Sequence, residues 1–157
     1  MAESTNPDAV ALLKADHRKV EGLFEKFESA KGEDKKKALA EEICMELTVH
    51  TKIEEDIFYP ACEDAVEEDV MKEAYVEHDS AKVLIAEIEA GGPNDDFYDA
   101  KVKVLGEYIK HHVKEEEQPG GIFAQAKRGD EDLDAMGERL QARKEELMAE
   151  MGADKAN

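Results

Sequence analysis

The chain has 157 residues, enough for one domain with a substantial core, and its 40 acidic against 21 basic residues give a net charge of −19. A charge of this sign repels phosphate backbones and anionic lipid surfaces, so we expect no nucleic-acid partner and no membrane partner. Because the sequence has no apolar run near the roughly 20 residues of a membrane span, no signal-peptide pattern and only two cysteines, we expect a cytoplasmic protein.

Apolar residues recur at helical spacing throughout a sequence dominated by Ala, Glu, Lys and Leu, which predicts an all-α protein. The first helix should begin with Asn6 as its N-cap and Pro7 at its first helical position, and Pro60 should stop the second helix. The expected helical segments cover about residues 7–30, 34–59, 66–90, 96–118 and 131–151, and a short turn is expected at 122–127.

Short connections between the four long helices favour antiparallel neighbours, so we expect an up-down-up-down four-helix bundle over residues 1–127. The remaining segment, 128–157, reads as an additional amphipathic C-terminal helix whose apolar side carries no ligand-type residue. This helix should pack on the bundle or on a second subunit, and the second arrangement would make a homodimer.

A histidine and a glutamate lie four residues apart at two places, and on a helix that spacing puts both side chains on one face. A single histidine on an apolar stripe precedes each pair, by 33 and by 34 residues. The first two long helices and the next two therefore form an internal repeat. Its six candidate metal ligands are His17, His50, Glu54, His78, His112 and Glu116.

These side chains favour a two-metal site over a purely structural core. Burying a carboxylate without a counter-charge costs several kcal/mol, and no Arg or Lys lies on the matching stripes. A mixed set of imidazoles and carboxylates without cysteine suits iron or manganese, with zinc as a substitute in vitro. If Glu54 and Glu116 bridge, they would hold the two ions about 3.5–4 Å apart and leave open positions for water, oxide and an external ligand.

The surrounding motifs are specific. They read Asp-His-x-x-Val from position 16, His-x-x-x-Glu-Glu-Asp-Ile-Phe-Tyr-Pro from position 50, Glu-His from position 77 and His-x-x-x-Glu-Glu from position 112. Over about residues 8–127 this pattern resembles the haemerythrin-like family, whose members carry the HHE cation-binding domain. The resemblance implies a left-handed four-helix bundle around a non-haem di-iron centre. By position, the four histidines would be ligands, Glu54 and Glu116 would bridge, and an oxo, hydroxo or water group would complete the bridge.

The chain departs from the oxygen-carrying haemerythrins at one ligand. Those proteins have a fifth histidine one helical turn from the third-helix histidine, whereas this chain has Ala74 and Lys82 at the flanking positions. It therefore looks more like the bacterial four-histidine group. Tyr75 and Tyr108 lie near the ligand stripes, and either could donate a hydrogen bond or fill the empty position, with core packing as the alternative.

Residues next to the candidate ligands in sequence offer alternatives or additional contacts. His111 could replace His112, although it lies about 100° around the helix. The carboxylates that follow the ligand glutamates should face solvent or the second nitrogen of a ligand histidine, and those that precede two of the histidines should lie on solvated faces. These four carboxylates are Asp16, Glu55, Glu77 and Glu117.

Three functions remain open at this point. A di-iron site of this kind would bind or react with dioxygen, peroxide or nitric oxide, and peroxidase, catalase-like or oxidase turnover is compatible with it. Alternatively, the protein would be an iron- or oxygen-sensing or binding module without turnover, with metal affinity contributing to folding. The third reading is transient iron buffering.

Overall fold

The computed structural model describes residues 7–156, with side chains as far as Gly152, and every regular element within this range is helical. This confirms the all-α prediction. Among these residues no helix is both long and apolar enough to cross a lipid bilayer. The helices are α1 (Ala9–Ser29), α2 (Glu33–Ile53), α3 (Tyr59–Cys62), α4 (Glu68–Gly91), α5 (Tyr98–Glu117), α6 (Ile122–Lys127) and α7 (Leu133–Ala156).

The four long helices α1, α2, α4 and α5 form the bundle predicted from the sequence. Helix α1 packs on α2 and α5, and α4 packs on the same two helices, so the four close into a ring around one interior. Each helix turns its apolar stripe toward this interior, because burying that stripe is the main source of stability for an amphipathic helix.

The first helix begins slightly later than the sequence pattern suggested. Asp8 is its N-cap, with an extended backbone and a side chain that accepts a hydrogen bond from the Ala11 N–H at 2.8 Å. Asn6, the expected cap, lies outside the described residues.

Pro60 does not stop the second helix, so that prediction was wrong. Helix α2 continues through a π-helical turn, Glu54–Phe58, in which the Tyr59 N–H bonds to the Glu54 carbonyl five residues earlier. Helix α3 follows, and Pro60 stands in its first turn, where a missing N–H is tolerated. As a result, both Phe58 and Tyr59 are fully buried.

Two apolar clusters fill the bundle and leave a polar layer between them. The first contains Leu13 of α1, Ile53 of α2 and Phe123 of α6, while the second contains Val20 of α1 and Leu105 of α5. Along α1 the first cluster ends at Leu13 and the second begins at Val20. The layer between these positions is where the predicted ligands fall.

The last helix, α7, lies along α1 and α2. Its buried side chains Met136, Leu140 and Leu147 join the first apolar cluster. The close approach occurs at Gly137, where an added Cβ would lie 2.8 Å from the carbonyl carbon of Asp8. A homodimer through this helix, and the division of the chain at residue 127, stay predictions.

Replacing Gly137 by Ala should weaken the seat of α7 on the start of α1. The new methyl would meet backbone, which cannot rotate away, so we expect a loss of about 1–3 kcal/mol in the free energy of unfolding. Gly22→Ala is the matched control, because nothing lies within 4 Å of its Cβ position and it should stabilise helix α1 by about 0.5–1 kcal/mol. Urea unfolding of both variants measures this, and equal changes would contradict the packing described.

Candidate metal centre

The six residues predicted as ligands converge on one site in the layer between the apolar clusters. Each long helix contributes one histidine, and the glutamates come from the π turn and the end of α5. None of the six is more than 5% exposed. They are His17 (α1), His50 (α2), Glu54 (π turn), His78 (α4), and His112 and Glu116 (α5).

Their ligand atoms form two overlapping groups, each with all atoms within 4.8 Å of one another. One group holds His17, His50, Glu54 and Glu116, and the other holds Glu54, His78 and His112. Oε1 of Glu54 lies 3.3 Å from His50 Nε2 and 3.0 Å from His78 Nε2. Oε1 of Glu116 lies 3.1 Å from His17 Nε2 and 3.4 Å from His112 Nε2. Each of the two carboxylates therefore lies between a histidine of the first sequence repeat and a histidine of the second.

The unsatisfied atoms of this site fit a bound cation. Buried polar atoms normally have hydrogen-bond partners, and leaving one unpaired costs about 1–3 kcal/mol. Two ligands set at a right angle around a metal with bonds of about 2.1 Å would lie about 3 Å apart, close to the separations found here. Four buried atoms of the candidate ligands have no hydrogen-bond partner among the described residues: His17 Nε2, His50 Nε2, Glu54 Oε2 and Glu116 Oε1.

The electrostatics point the same way. Burial lowers the pKa of His50, but the charge of Glu54 and the hydrogen bond to Asp16 outweigh it and raise the pKa to about 10. Burial likewise raises the pKa of Glu54, yet the His50 charge and neighbouring hydrogen bonds hold it well below its usual range. Positive charge at the imidazole nitrogens therefore stabilises the buried carboxylate. Bound protons provide this charge in the metal-free protein, and a metal ion would provide it in their place.

The second nitrogen of every histidine in the cluster faces a carboxylate. Such partners fix the ring orientation and tautomer of metal-binding histidines. Two of these carboxylates were expected on solvated faces, and that expectation was wrong, because they turn inward. The Nδ1-to-oxygen distances are 2.5 Å for His17 to Glu117, 3.0 Å for His50 to Asp16, 2.8 Å for His78 to Glu55 and 2.7 Å for His112 to Glu77.

These four outer carboxylates, Asp16, Glu55, Glu77 and Glu117, repeat the internal symmetry of the chain. Asp16 and Glu77 each precede the first histidine of a repeat, and each contacts the second histidine of the same repeat. Glu55 and Glu117 each follow the central glutamate of a repeat, and each contacts the first histidine of the other repeat. The sequence signal, an acidic residue beside each of four candidate ligands, was visible, but the pairing across helices was not.

Tyr59 is the site residue that sequence reasoning missed. Its hydroxyl lies 2.7 Å from Glu116 Oε2, 3.2 Å from His112 Nε2 and 3.3 Å from His78 Nε2. Burial and the neighbouring charges of Glu116 and Glu54 raise the pKa of Tyr59 well above its usual value, so the phenol stays protonated and its O–H donates a hydrogen bond to Glu116. An ordinary α-helix would rotate this residue away from Glu54, and only the π turn brings it inward.

Tyr75, Tyr108 and His111 lie farther from the centre of the cluster. The ring of Tyr75 packs against that of Tyr59 at a centroid distance of 5.4 Å. Tyr108 is 47% exposed and borders the cavity described below. His111 is 64% exposed and pairs with Glu77 and with Glu115, so it is His112 that enters the cluster.

A cavity of about 20 Å³ adjoins the histidines on the side of the second apolar cluster. A single water needs at least about 10–15 Å³, so the space admits little more than one molecule of that size. Its apolar lining consists of Val20, Leu47, Ala81, Ile109 and Val113.

Comparisons with known proteins identify a cation-binding domain family. Residues 8–119 match the family model described as Hemerythrin HHE cation binding domain. The crystal structure of a Hemerythrin HHE cation binding domain-containing protein from Mycobacterium kansasii is similar, with a TM-score of 0.77, 26% identity, and coverage of 92% of this chain and 89% of that chain. A DNA nickase from Nostoc sp. is 28% identical over 106 residues, which are 68% of this chain but only 30% of that relative.

Metal binding should stabilise the fold through Glu116. We expect saturating ferrous iron, added without oxygen, to raise the thermal midpoint of the wild type by roughly 5–10 °C, because a ligand at 100 times its Kd adds about 2.7 kcal/mol. Glu116→Gln should lose most of this shift. The control Glu46→Gln should keep it, because Glu46 is equally buried but pairs with Lys19 outside the cluster. Equal shifts in the two variants would count against the site.

Proposed function

The chain belongs to the haemerythrin HHE cation-binding domain family, and on that premise we propose that it is a non-haem di-iron protein that binds or reacts with a small oxidant. The observation that carries this proposal is the cluster of six buried imidazole and carboxylate side chains with orphaned ligand atoms. The small oxidant that we propose is dioxygen, peroxide or nitric oxide. The metal-binding class follows from the family, while the choice of iron and of oxidant is our inference.

We assign the ligands by proximity. His17 and His50 would hold one ion, His78 and His112 would hold the other, and Glu54 and Glu116 would bridge them. Six nitrogen and oxygen donors without a thiolate favour iron or manganese, with zinc as a substitute. An oxo, hydroxo or water bridge would complete the pair.

The protein's own contribution is to orient the imidazoles. With an outer carboxylate at each Nδ1, that nitrogen carries the proton, and the Nε2 lone pair is left for the metal. When bound, iron supplies one-electron redox chemistry and open coordination positions. Tyr59 holds a proton beside Glu116, within reach of a group that gains negative charge in the site.

The small apolar cavity supports a diatomic or similarly small ligand. Its volume of about 20 Å³ excludes organic substrates unless side chains move. Tyr108, which lines this cavity, is about half exposed. Turnover of peroxide, in the manner of a peroxidase or catalase, or oxidase chemistry is compatible with this arrangement.

Sensing without turnover is the second candidate. One observation favours it: Lys144 of helix α7 contacts Asp16, which in turn contacts His50, so a helix outside the bundle touches the site. Transient iron buffering is less favoured, because the central cluster offers positions for only a pair of ions.

We do not extend DNA nicking to this chain. The match spans 30% of the nickase, and a net charge of −19 opposes contact with a phosphate backbone. The absence of a nucleic-acid partner, the absence of a membrane partner and the cytoplasmic location stay predictions.

The first test loads the protein with ferrous iron without oxygen, counts the irons per chain, and follows the visible spectrum as dioxygen is admitted and then purged with argon. We expect two irons and an irreversible change to a ferric spectrum, because the fifth histidine of oxygen carriers is absent. The loaded protein should then remove added peroxide, and His78→Ala should do so at least about tenfold more slowly because one ion loses a ligand.

A coloured form that bleaches under argon would favour reversible oxygen binding. Peroxide removal by His78→Ala at the rate of the wild type would contradict catalysis at this site. Glu46→Gln is the matched control, because Glu46 is buried but pairs with Lys19 outside the central cluster. It should remove peroxide like the wild type. More than two irons per chain would favour buffering.

Tyr59 should limit the access of external ligands to the centre. In Tyr59→Phe the lost hydroxyl leaves space beside Glu116, His78 and His112, so azide should bind the ferric protein at least about tenfold more tightly, a gain of about 1.4 kcal/mol. Tyr75→Phe serves as the control, because Tyr75 lies behind the Tyr59 ring. Azide titration followed by absorbance measures both, and equal affinities would contradict this role.

A further inference from the structure

Asp16 differs from the three other outer carboxylates in its surroundings. Its side chain is 7% exposed, whereas those of Glu55, Glu77 and Glu117 are 21%, 22% and 20% exposed. Its cationic partner is also unusual, because Lys144 belongs to α7 and not to the four bundle helices. The other partners, Arg18, Lys82 and His111, lie on α1, α4 and α5.

The contacts of Asp16 link α7 to the centre without a gap. Nζ of Lys144 lies 2.5 Å from Asp16 Oδ1, and the other oxygen of Asp16 lies 3.0 Å from His50 Nδ1. His50 Nε2 in turn lies 3.3 Å from Glu54 Oε1. One oxygen of the buried Asp16 carboxylate therefore contacts Lys144 of the outer helix α7, and the other contacts the candidate ligand His50.

Helix α7 holds Lys144 firmly in this position. Leu140 and Leu147, four residues before it and three after it, are at most 2% exposed and anchor the same face of the helix in the first apolar cluster. Because Lys144 itself is only 21% exposed, its contact with Asp16 is shielded from water more than a surface ion pair is.

We propose that Lys144 is a positioning residue of the metal centre: acting through Asp16 and His50, the C-terminal helix sets the affinity for the ion at the His17 and His50 position. This inference rests on the proposed function. Without the ammonium group, Asp16 would keep one buried oxygen unpaired and would shift toward solvent or change its bond to His50. Loss of such an outer partner typically lowers metal affinity 10–100-fold.

The arrangement also makes the two metal positions unequal. The partners of His78 and His112 draw their cations from α4 and α5, and both Lys82 and His111 are more than 40% exposed. The ion at the His17 and His50 position alone depends on a contact from a helix outside the four-helix bundle. A change in the seating of α7 would therefore affect one ion before the other.

The test compares Lys144→Met with Lys144→Arg and with the control Arg143→Met. Arg143 is the adjacent cation of α7, but it pairs with Asp56 and Glu146 and does not touch Asp16. Ferrous iron affinity is measured without oxygen by competition with a chelator, together with the irons bound per chain, the ferric visible spectrum and the thermal midpoint of the metal-free protein.

We expect Lys144→Met to bind one of its two irons about 10–100-fold more weakly and to show an altered ferric spectrum. Lys144→Arg should recover most of the affinity, because a guanidinium group can still reach Asp16, and Arg143→Met should match the wild type. If Lys144→Met is too unstable to purify, Lys144→Gln removes the same charge with a side chain that remains polar.

Equal iron affinities in all variants, with only the thermal midpoint lowered, would overturn the proposal and leave Lys144 as an anchor of α7. This outcome is distinct from failure of the proposed function. In that case the wild type itself would not bind two irons, and both inferences would fall together.

Discussion

The structure depends on two carboxylates, Glu54 and Glu116, that have no exposed surface and lie among four imidazoles. Negative charge in this position is costly, and the protein adds to it by placing four further carboxylates around the histidines. Within the described part of the chain, three of those four are paired with a lysine or arginine. The bundle can therefore be understood as a scaffold that holds an excess of negative charge in a fixed shape, and cations are what complete it.

Much of the fold and the inner site could be predicted because both obey local periodicity. Each glutamate of the buried cluster follows a histidine by four residues, and each histidine lies on an apolar stripe of one long helix. A helix brings such residues to one face whatever its partners are. The antiparallel order of the helices followed from short connections, and it placed the two halves of the repeat around the same interior.

The remainder could not be predicted, because it depends on departures from that periodicity or on contacts between distant segments. Tyr59 reaches the centre through a π turn, and no residue pattern distinguishes such a turn from an ordinary helix before a proline. The contact between Asp16 and Lys144 joins residues 128 positions apart. A sequence shows that Asp16 is acidic, but the direction of its side chain depends on packing between helices.

The π turn also affects how the sequence of this segment aligns with that of a regular helix. A π-helical turn contains one more residue than the α-helical turn it replaces, so the segment 54–58 carries in effect a single-residue insertion. Deleting one residue there would restore a regular helix and rotate everything beyond it by about 100°. Relatives that differ by one residue in this segment would thus present a different side chain to the metal layer, although their helices and ligands would align.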